Sequence, residues 1–353
     1  MYGVASENKE ITNEDVQNVF NAARVRALPP EREIISVIPE EFIVDGFDGI
    51  RDPIGMIGVR LELYASMITG PKTIVHNIKR CVERAGLIIQ DMVVQPLAVS
   101  SIAMNKGERD FGTILVDMGG GQTTASVMHD DQLKFVYVDQ EGGSLITKDI
   151  SIILNTTLEN AEKIKREYGY AIPADTSDVE YFPVDVIGKE EPVRVDEKYL
   201  SEIIEARVIQ ILDNVKRALD QVEAFDLPGG VILTGGGAAL PGVMELAEEM
   251  FGCSVKMYIP EQMGMRNPIF ATSLGLIKYV GEQDAIYQVA KNRVVQRPAA
   301  QPQQVKQNVV PMQQKEAPVY SEPPVEEEYN YEEESKKDSI VNQFKQFIHS
   351  IFE

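Results

Sequence analysis

Hydrophobic positions along the chain switch repeatedly between the three-to-four spacing of a helix and the alternation of a strand. Thr12 with Asp15 three residues on, followed by Val16, Val19, Phe20 and Ala23, predicts a capped amphipathic helix. From Ile34 to Thr69 apolar and polar residues alternate, and Pro39, Gly46, Gly49, Pro53 and Gly55 punctuate the run, which predicts several short strands. Pro71 opens a helix carrying Ile74, Val75, Ile78, Val82 and Ala85, and Gly86 closes it. Cys81 falls on the apolar side of that helix and is expected in a core. A strand is expected over 91–94 and a helix after Gln95-Pro96. Further on, 133–138 alternates like a hairpin strand, Gly142-Gly143 opens a helix, and 159–168 is another. The stretch from Pro173 to Val195 is loop-rich with β-type pairs. Ile203, Ile204, Val208, Ile211, Leu212, Val215, Leu219 and Val222 then keep one apolar stripe over about five helical turns, which is packing rather than a site. A last helix covers 271–280, and the strand–helix–strand rhythm suits an α/β layer fold.

Two apolar runs end in glycine triplets. Ile114-Leu115-Val116-Asp117-Met118 runs into Gly119-Gly120-Gly121-Gln122-Thr123, and Val231-Ile232-Leu233-Thr234 runs into Gly235-Gly236-Gly237. A buried strand that ends where side chains vanish lets backbone N–H groups close on an anion. Asp117 before the first turn and hydroxyls after it suit phosphate oxygens and the water shell of a magnesium ion. The second turn leads through Pro241 and Gly242 to Val243, Leu246, Ala247 and Met250 at helical spacing, so a helix N-terminus faces it. Together the triplets read as two walls of one nucleotide cleft.

The chain has 353 residues, enough for two domains, and a formal charge of −21 that speaks against nucleic-acid binding, which needs clustered Lys and Arg. Cys81 and Cys253 are isolated, which fits a reducing cytoplasm, and His76, His129 and His349 lack the spacing of metal ligands. No run approaches the roughly 20 apolar residues of a membrane span, and the amino terminus lacks a signal-peptide plan. Residues 298–337 are rich in Pro, Gln and Glu and are expected to stay disordered, a tether with a root-mean-square span on the order of 35 Å. In 338–353 the trend reverses. Ile340, Val341, Phe344, Phe347, Ile348, Ile351 and Phe352 form one apolar face opposite Asn342, Gln343, Lys345, Gln346 and His349. With Lys336 and Lys337 close by, this fits a helix lying on a membrane; docking in a protein groove or on its own domain is the other reading.

The ordered pair of glycine turns resembles the second phosphate loop and the adenosine loop of the actin-like ATPase superfamily. Glu41-Phe42-Ile43-Val44-Asp45-Gly46, Pro53-Ile54-Gly55-Met56 and Gly58-Val59-Arg60-Leu61-Glu62 resemble subdomain 1C of its FtsA family. Cys81-Val82-Glu83-Arg84-Ala85-Gly86-Leu87 and Gln95-Pro96-Leu97-Ala98 resemble the segment that leads to that family's phosphate loop. The resemblance implies an α/β, actin-like (ribonuclease H-like) two-domain fold with an FtsA-type 1C subdomain, a disordered acidic linker and a C-terminal amphipathic helix. It places 1C at 1–70, part of 1A at 71–111, 2A at 112–160 and 230–270, 2B at 161–229, and a helix returning to 1A at 271–297.

The resemblance also implies ATP with Mg as cofactors. Asp117 would organise the metal's waters, and Gly119, Gly120, Gly121 and Thr123 would hold the β- and γ-phosphates. Gly235, Gly236 and Gly237 would face the nucleoside, and Glu162 and Lys165 would reach ribose or adenine, though as bare sequence they are a solvated helix face. Gln95 matches the residue that orients the attacking water; as bare sequence it is equally a capping or core-edge glutamine. The family's opposing phosphate loop, an Asp-x-Gly-Thr strand, has no counterpart ahead of Asp117, and Gln122-Thr123-Thr124 ends without the family's acid. Met1 is thus expected inside 1C, with nucleotide binding impaired and at most weak ATPase activity. The implied function is anchoring FtsZ filaments to the cytoplasmic face of the membrane at the division site, with ATP-dependent self-assembly and recruitment of other divisome proteins. The FtsZ C-terminal tail is expected on the exposed side of the long helix near Arg207, Lys216 and Arg217. A pilus-assembly actin homologue that binds a membrane-protein peptide, or an actin-fold small-molecule kinase, are the alternatives.

Overall fold

The computed structural model describes residues 2–25 and 27–282. The first part is an antiparallel sheet with a helix on one face. It comprises β1 (Tyr2–Glu10), α1 (Asn13–Arg24), β2 (Arg32–Val44), β3 (Phe47–Ile50) and β4 (Ile57–Pro71), followed by α2 (Lys72–Arg84). The strand order is β1-β4-β2-β3. Thr12 caps α1 reciprocally: its hydroxyl accepts from the Asp15 amide at 3.3 Å, and the Asp15 carboxylate accepts from the Thr12 amide at 2.9 Å. Val16, Val19 and Phe20 of α1 are buried against Phe42, Val44, Leu61 and Leu63 of the sheet, with Phe20 edge-on to Phe42 at 6.1 Å. Each such side chain contributes about 1.5–3 kcal/mol of burial.

The short strands expected between Ile34 and Thr69 are in fact two long ones, β2 and β4, joined through the small β3. Pro39 does not break β2, because the pairing register slips between Pro39 and Glu41 and β3 pairs with β2 only from Phe42 onward. A bulge on a largely unpaired edge is where a strand tolerates proline. Asp45 (φ 50) and Gly46 (φ 90) make the tight β2–β3 turn.

Two expectations fail nearby. Residues 91–94 form no strand, since no described strand pairs with them. Cys81 is exposed rather than in the core. The apolar side of α2 is largely uncovered among the described residues: Val75 is buried, but Ile74 and Ile78 are exposed.

The second part is layered. It continues through α3 (Gln95–Ala103), α4 (Lys106–Phe111), β5 (Thr113–Met118), β6 (Thr123–His129), β7 (Gln132–Asp139), α5 (Gly143–Ile153) and α6 (Leu158–Tyr168). The hairpin β8 (Tyr181–Val184) and β9 (Val193–Asp196) precedes α7 (Glu197–Asp220), β10 (Val231–Thr234), α8 (Val243–Phe251), β11 (Val255–Met257) and α9 (Ala271–Gly281). The sheet runs β11-β10-β5-β6-β7; β11, β10 and β5 are parallel, and β6 and β7 return antiparallel. Ile146, Ile150, Ile164, Ile204, Val208 and Leu212 cover one face with Val116, Met118 and Leu233 beneath. Leu97, Val99 and Ala271 cover Leu115, Met128 and Ile232 on the other. Helices on both faces explain why β5 and β10 read as unbroken apolar runs.

α3 and α9 cross closely. A Cβ on Gly275 would lie 2.2 Å from the Ala98 carbonyl oxygen. The linker 298–337 and the amphipathic segment 338–353 lie outside the described residues.

Candidate functional site

The two glycine turns leave the sheet side by side because β5 and β10 are parallel neighbours in register, Asp117 opposite Thr234. Ligands of α/β sheets gather at the carboxyl ends of such strands. The Gly119 amide donates to the Gln122 carbonyl at 2.9 Å and closes the first turn, and the Gly237 amide donates to the Met118 carbonyl at 2.7 Å. The start of α5 completes the arrangement: the amides of Gly143 and Ser144 donate to the carbonyls of Gly119 and Gly120 at 2.9 and 2.8 Å. With those carbonyls occupied, the amides of Gly120, Gly121 and Gly236 have no acceptor among the described residues, and all three glycines are exposed. Such unpaired donors on exposed backbone are what an anion site offers.

At several of these glycines a side chain is excluded by space. A Cβ on Gly142 would lie 2.6 Å from the Gly119 oxygen, and one on Gly237 would lie 2.9 Å from the Met118 oxygen. Gly235 is doubly constrained, with φ +92 and a Cβ position 2.3 Å from Asp117 Oδ1. The donors and the close packing therefore fit a phosphate group.

Asp117 stands at the base of both turns. Its Oδ2 accepts from Gln95 Nε2 at the start of α3, and from Thr272 Oγ1 at the start of α9 at 3.4 Å. Burial raises its pKa, against the opposing pull of these two hydrogen bonds. A single carboxylate suits a magnesium ion that keeps its waters.

The remaining expected residues sit one layer back. Thr123 is buried in β6, and its hydroxyl donates to the Glu141 carbonyl at 2.8 Å. Glu162 and Lys165 of α6 bond each other at 2.6 Å, and Lys165 Nζ also donates to the Gly143 carbonyl at 3.0 Å and to Thr147 Oγ1 at 2.8 Å. They bolt α6 to the first turn of α5. Burial works to raise the Glu162 carboxyl, but hydrogen bonds from Lys165, Thr147 and Arg166 and the charge of Lys165 outweigh it and bring the pKa to about 2.

Of the basic residues expected on the exposed side of α7, two are engaged. Arg207 is paired with Asp149 and Glu141, and Lys216 Nζ donates to the Met250 carbonyl. Arg217 is exposed and pairs with Asp213 on its own helix.

Sequence reasoning gave no site role to Gly142, Ser144 or Thr272. The Gly142-Gly143 doublet was the available signal for the first two. Thr272 had none, because its contact with Asp117 spans 155 positions. A cavity of about 480 Å³ lies elsewhere, lined by Ile68, Leu97, Met128, Leu133 and Tyr279 among others, and includes neither glycine turn. No helix among the described residues is long and apolar enough to cross a membrane.

The family model described as Cell division protein FtsA matches residues 114–275, and the one described as SHS2 domain inserted in FTSA matches 2–69. The cell division protein FtsA of Enterococcus faecalis is 52% identical over 353 residues, covering 100% of this chain and 79% of that protein. The Escherichia coli protein of the same name is 30% identical over 289 residues, covering 78% of this chain and 69% of that protein. Among solved structures, the PilM–PilN type IV pilus biogenesis complex aligns with a TM-score of 0.51 at 19% identity, over 80% of this chain and 77% of that one. MreB5 of Spiroplasma citri bound to AMPPNP aligns with a TM-score of 0.50 at 14% identity, over 59% and 64%. At such identities the structural likeness speaks to the actin-like fold alone. The identities to whole relatives speak to more: the chain belongs to the FtsA family of cell division proteins.

Proposed function

We propose that this actin-like cell division protein binds ATP with magnesium between its two glycine turns, assembles with copies of itself, and ties the FtsZ C-terminal tail and other divisome proteins to the cytoplasmic face of the membrane through residues 338–353. The observation that carries the nucleotide part is the meeting of both turns at Asp117, with the amides of Gly120, Gly121 and Gly236 unpaired among the described residues. MreB5 of Spiroplasma citri, which shares the fold, was solved bound to AMPPNP.

In this reading the Gly120 and Gly121 amides hold the β- and γ-phosphates, and Gly119 and Thr123 shape the turn that presents them. Asp117 holds water of the magnesium shell, and the ion supplies neutralising charge to the phosphates. Gly235 and Gly237 keep the second turn against the first, so that Gly236 meets the nucleoside. Glu162 and Lys165 would reach ribose or adenine, and they also brace the start of α5, whose amides hold the phosphate turn. Gln95, bonded to Asp117, is placed to orient an attacking water, and hydrolysis is slow at most. The subdomain limits implied by the resemblance, with 1C over 1–70 and 2B over 161–229, belong to the same proposal.

Membrane attachment rests on the apolar face of Ile340, Val341, Phe344, Phe347, Ile348, Ile351 and Phe352. One such helix binds reversibly, and self-assembly presents many at once, which turns weak binding into firm attachment. The decisive experiment is co-sedimentation of the full chain with anionic liposomes and an FtsZ tail peptide. Wild type is expected to carry the peptide down, and F344E/F347E to leave both in solution. Equal sedimentation of the two proteins overturns the anchoring role.

A further inference from the structure

α7 carries a polar stripe that faces the nucleotide cradle from behind. Arg207, Gln210 and Asn214 stand at positions i, i+3 and i+7, one face of the helix. Arg207 grips Asp149 of α5 with two bonds, Nε to Oδ2 at 2.6 Å and Nη2 to Oδ1 at 3.1 Å. Its Nη1 reaches Glu141 Oε2 at 3.3 Å, and Gln210 Nε2 donates to Glu141 Oε1 at 3.0 Å. Asn214 Nδ2 donates to Asp139 Oδ2 at 2.9 Å, and Asp139 Oδ1 accepts from the Glu141 amide at 3.3 Å.

Apart from the bond inside the stripe, in which Arg207 Nη1 donates to Gln210 Oε1 at 3.0 Å, these bonds end on 139–141 or on α5, the chain that flanks Gly142-Gly143. The Glu141 carbonyl meanwhile accepts from Thr123, the first residue after the phosphate turn. A half-buried arginine–carboxylate pair adds little net stability, but it fixes geometry through its two-pronged bond.

We infer that Arg207, Gln210 and Asn214 are positioning residues for nucleotide binding: by holding 139–141 and α5 in place, they keep the Gly143 and Ser144 amides on the carbonyls of Gly119 and Gly120. Those carbonyls are thereby held off the cleft, and the N–H groups of the turn are left for phosphate. The inference rests on the nucleotide reading given above. It goes further in assigning the competence of the cradle to side chains on α7 that touch neither glycine turn.

The test uses the full chain with R207M, R207K and Q210A, plus G275A as a variant destabilised at the α3–α9 crossing, away from α7. Two readouts are taken: titration with a fluorescent ATP analogue and magnesium, and hydrogen exchange at the Gly143 and Ser144 amides without nucleotide. R207M is expected to weaken analogue binding at least tenfold and to speed exchange at those two amides more than G275A does. R207K, which keeps the charge but not the two-pronged bond, falls between R207M and wild type. Q210A removes one surface amide and shows the same pattern at smaller size. If wild type binds no analogue, the nucleotide reading fails, and the exchange data still decide the positioning role. Unchanged exchange at Gly143 and Ser144 in both R207M and Q210A, or analogue binding within twofold of wild type in both, overturns the inference.

Discussion

Gly142→Ala separates steric need from backbone conformation. Gly142 has φ −161 and ψ −168, extended backbone that alanine adopts freely, so the whole effect comes from the added methyl. That methyl would lie 2.6 Å from the Gly119 oxygen, 2.7 Å from the Gly120 oxygen and 2.9 Å from the Gln122 nitrogen, all backbone atoms. The phosphate turn and the α5 N-terminus must therefore part. Overpacking of this kind costs about 1–3 kcal/mol. Parting also strains the bonds from Gly143 and Ser144 to Gly119 and Gly120, each contributing about 1 kcal/mol net. Because the chain relaxes along the cheaper route, the expected loss is about 2–4 kcal/mol. At about 2–4 °C per kcal/mol for a domain of this size, the unfolding midpoint falls by roughly 5–15 °C. Any part of the strain relieved by moving the turn appears as weaker nucleotide binding, tenfold for about 1.4 kcal/mol. Thermal unfolding and titration with a fluorescent ATP analogue measure the two effects. Gly121→Ala is the control for stability, since a Cβ there meets nothing within 4 Å. A Gly142→Ala protein that unfolds and binds nucleotide like wild type would refute the packing argument.

Gly275→Ala places a methyl 2.2 Å from the Ala98 carbonyl oxygen, so chemical denaturation is expected to show a loss of about 1–3 kcal/mol as α9 is pushed from α3. The depressed pKa of Glu162 means that its contribution to stability is complete above its ordinary value near 4.5 and is lost as pH falls toward about 2. Unfolding midpoints measured from pH 5 to pH 2 should accordingly fall less steeply for Glu162→Gln than for wild type. Gln95→Ala removes a donor to Asp117 and the group proposed to orient water, so single-turnover ATP hydrolysis is expected to drop at least tenfold while analogue affinity changes less than threefold. Equal losses in both would assign Gln95 to binding alone.

The elements that the sequence disclosed best were those whose information is local. The Thr12–Asp15 cap and the two strand-to-glycine transitions each fall within a few residues, and the stripe along α7 repeats every three or four; all reappear in the structure, except that Val222, read as the last residue of the stripe, lies beyond α7 and is exposed. The adjacency of the two glycine turns was legible as well, because parallel β5 and β10 must end on the same side. Readings failed where the outcome depends on a distant partner. Residues 91–94 carry strand-like residues but have no strand beside them among the described residues. Cys81 lies in an amphipathic helix whose apolar side is largely uncovered there. Pro39 read as a break, yet a register slip absorbs it. Within the site, Glu162 and Lys165 looked like a solvated face and are instead a brace, because Thr147 and Gly143 lie on another helix. Arg207 looked like part of an exposed face for the same reason; its partners Glu141 and Asp149 are 66 and 58 positions away.

Whether the two glycine turns hold a nucleotide is decided by amide chemical-shift mapping of the isotope-labelled full chain with millimolar ATP and magnesium, since it registers weak binding residue by residue. The largest changes are expected on Gly120, Gly121 and Gly236, with smaller ones at Gly143 and Ser144. Changes centred on any other part of the chain, or none at saturating nucleotide, would contradict nucleotide binding there.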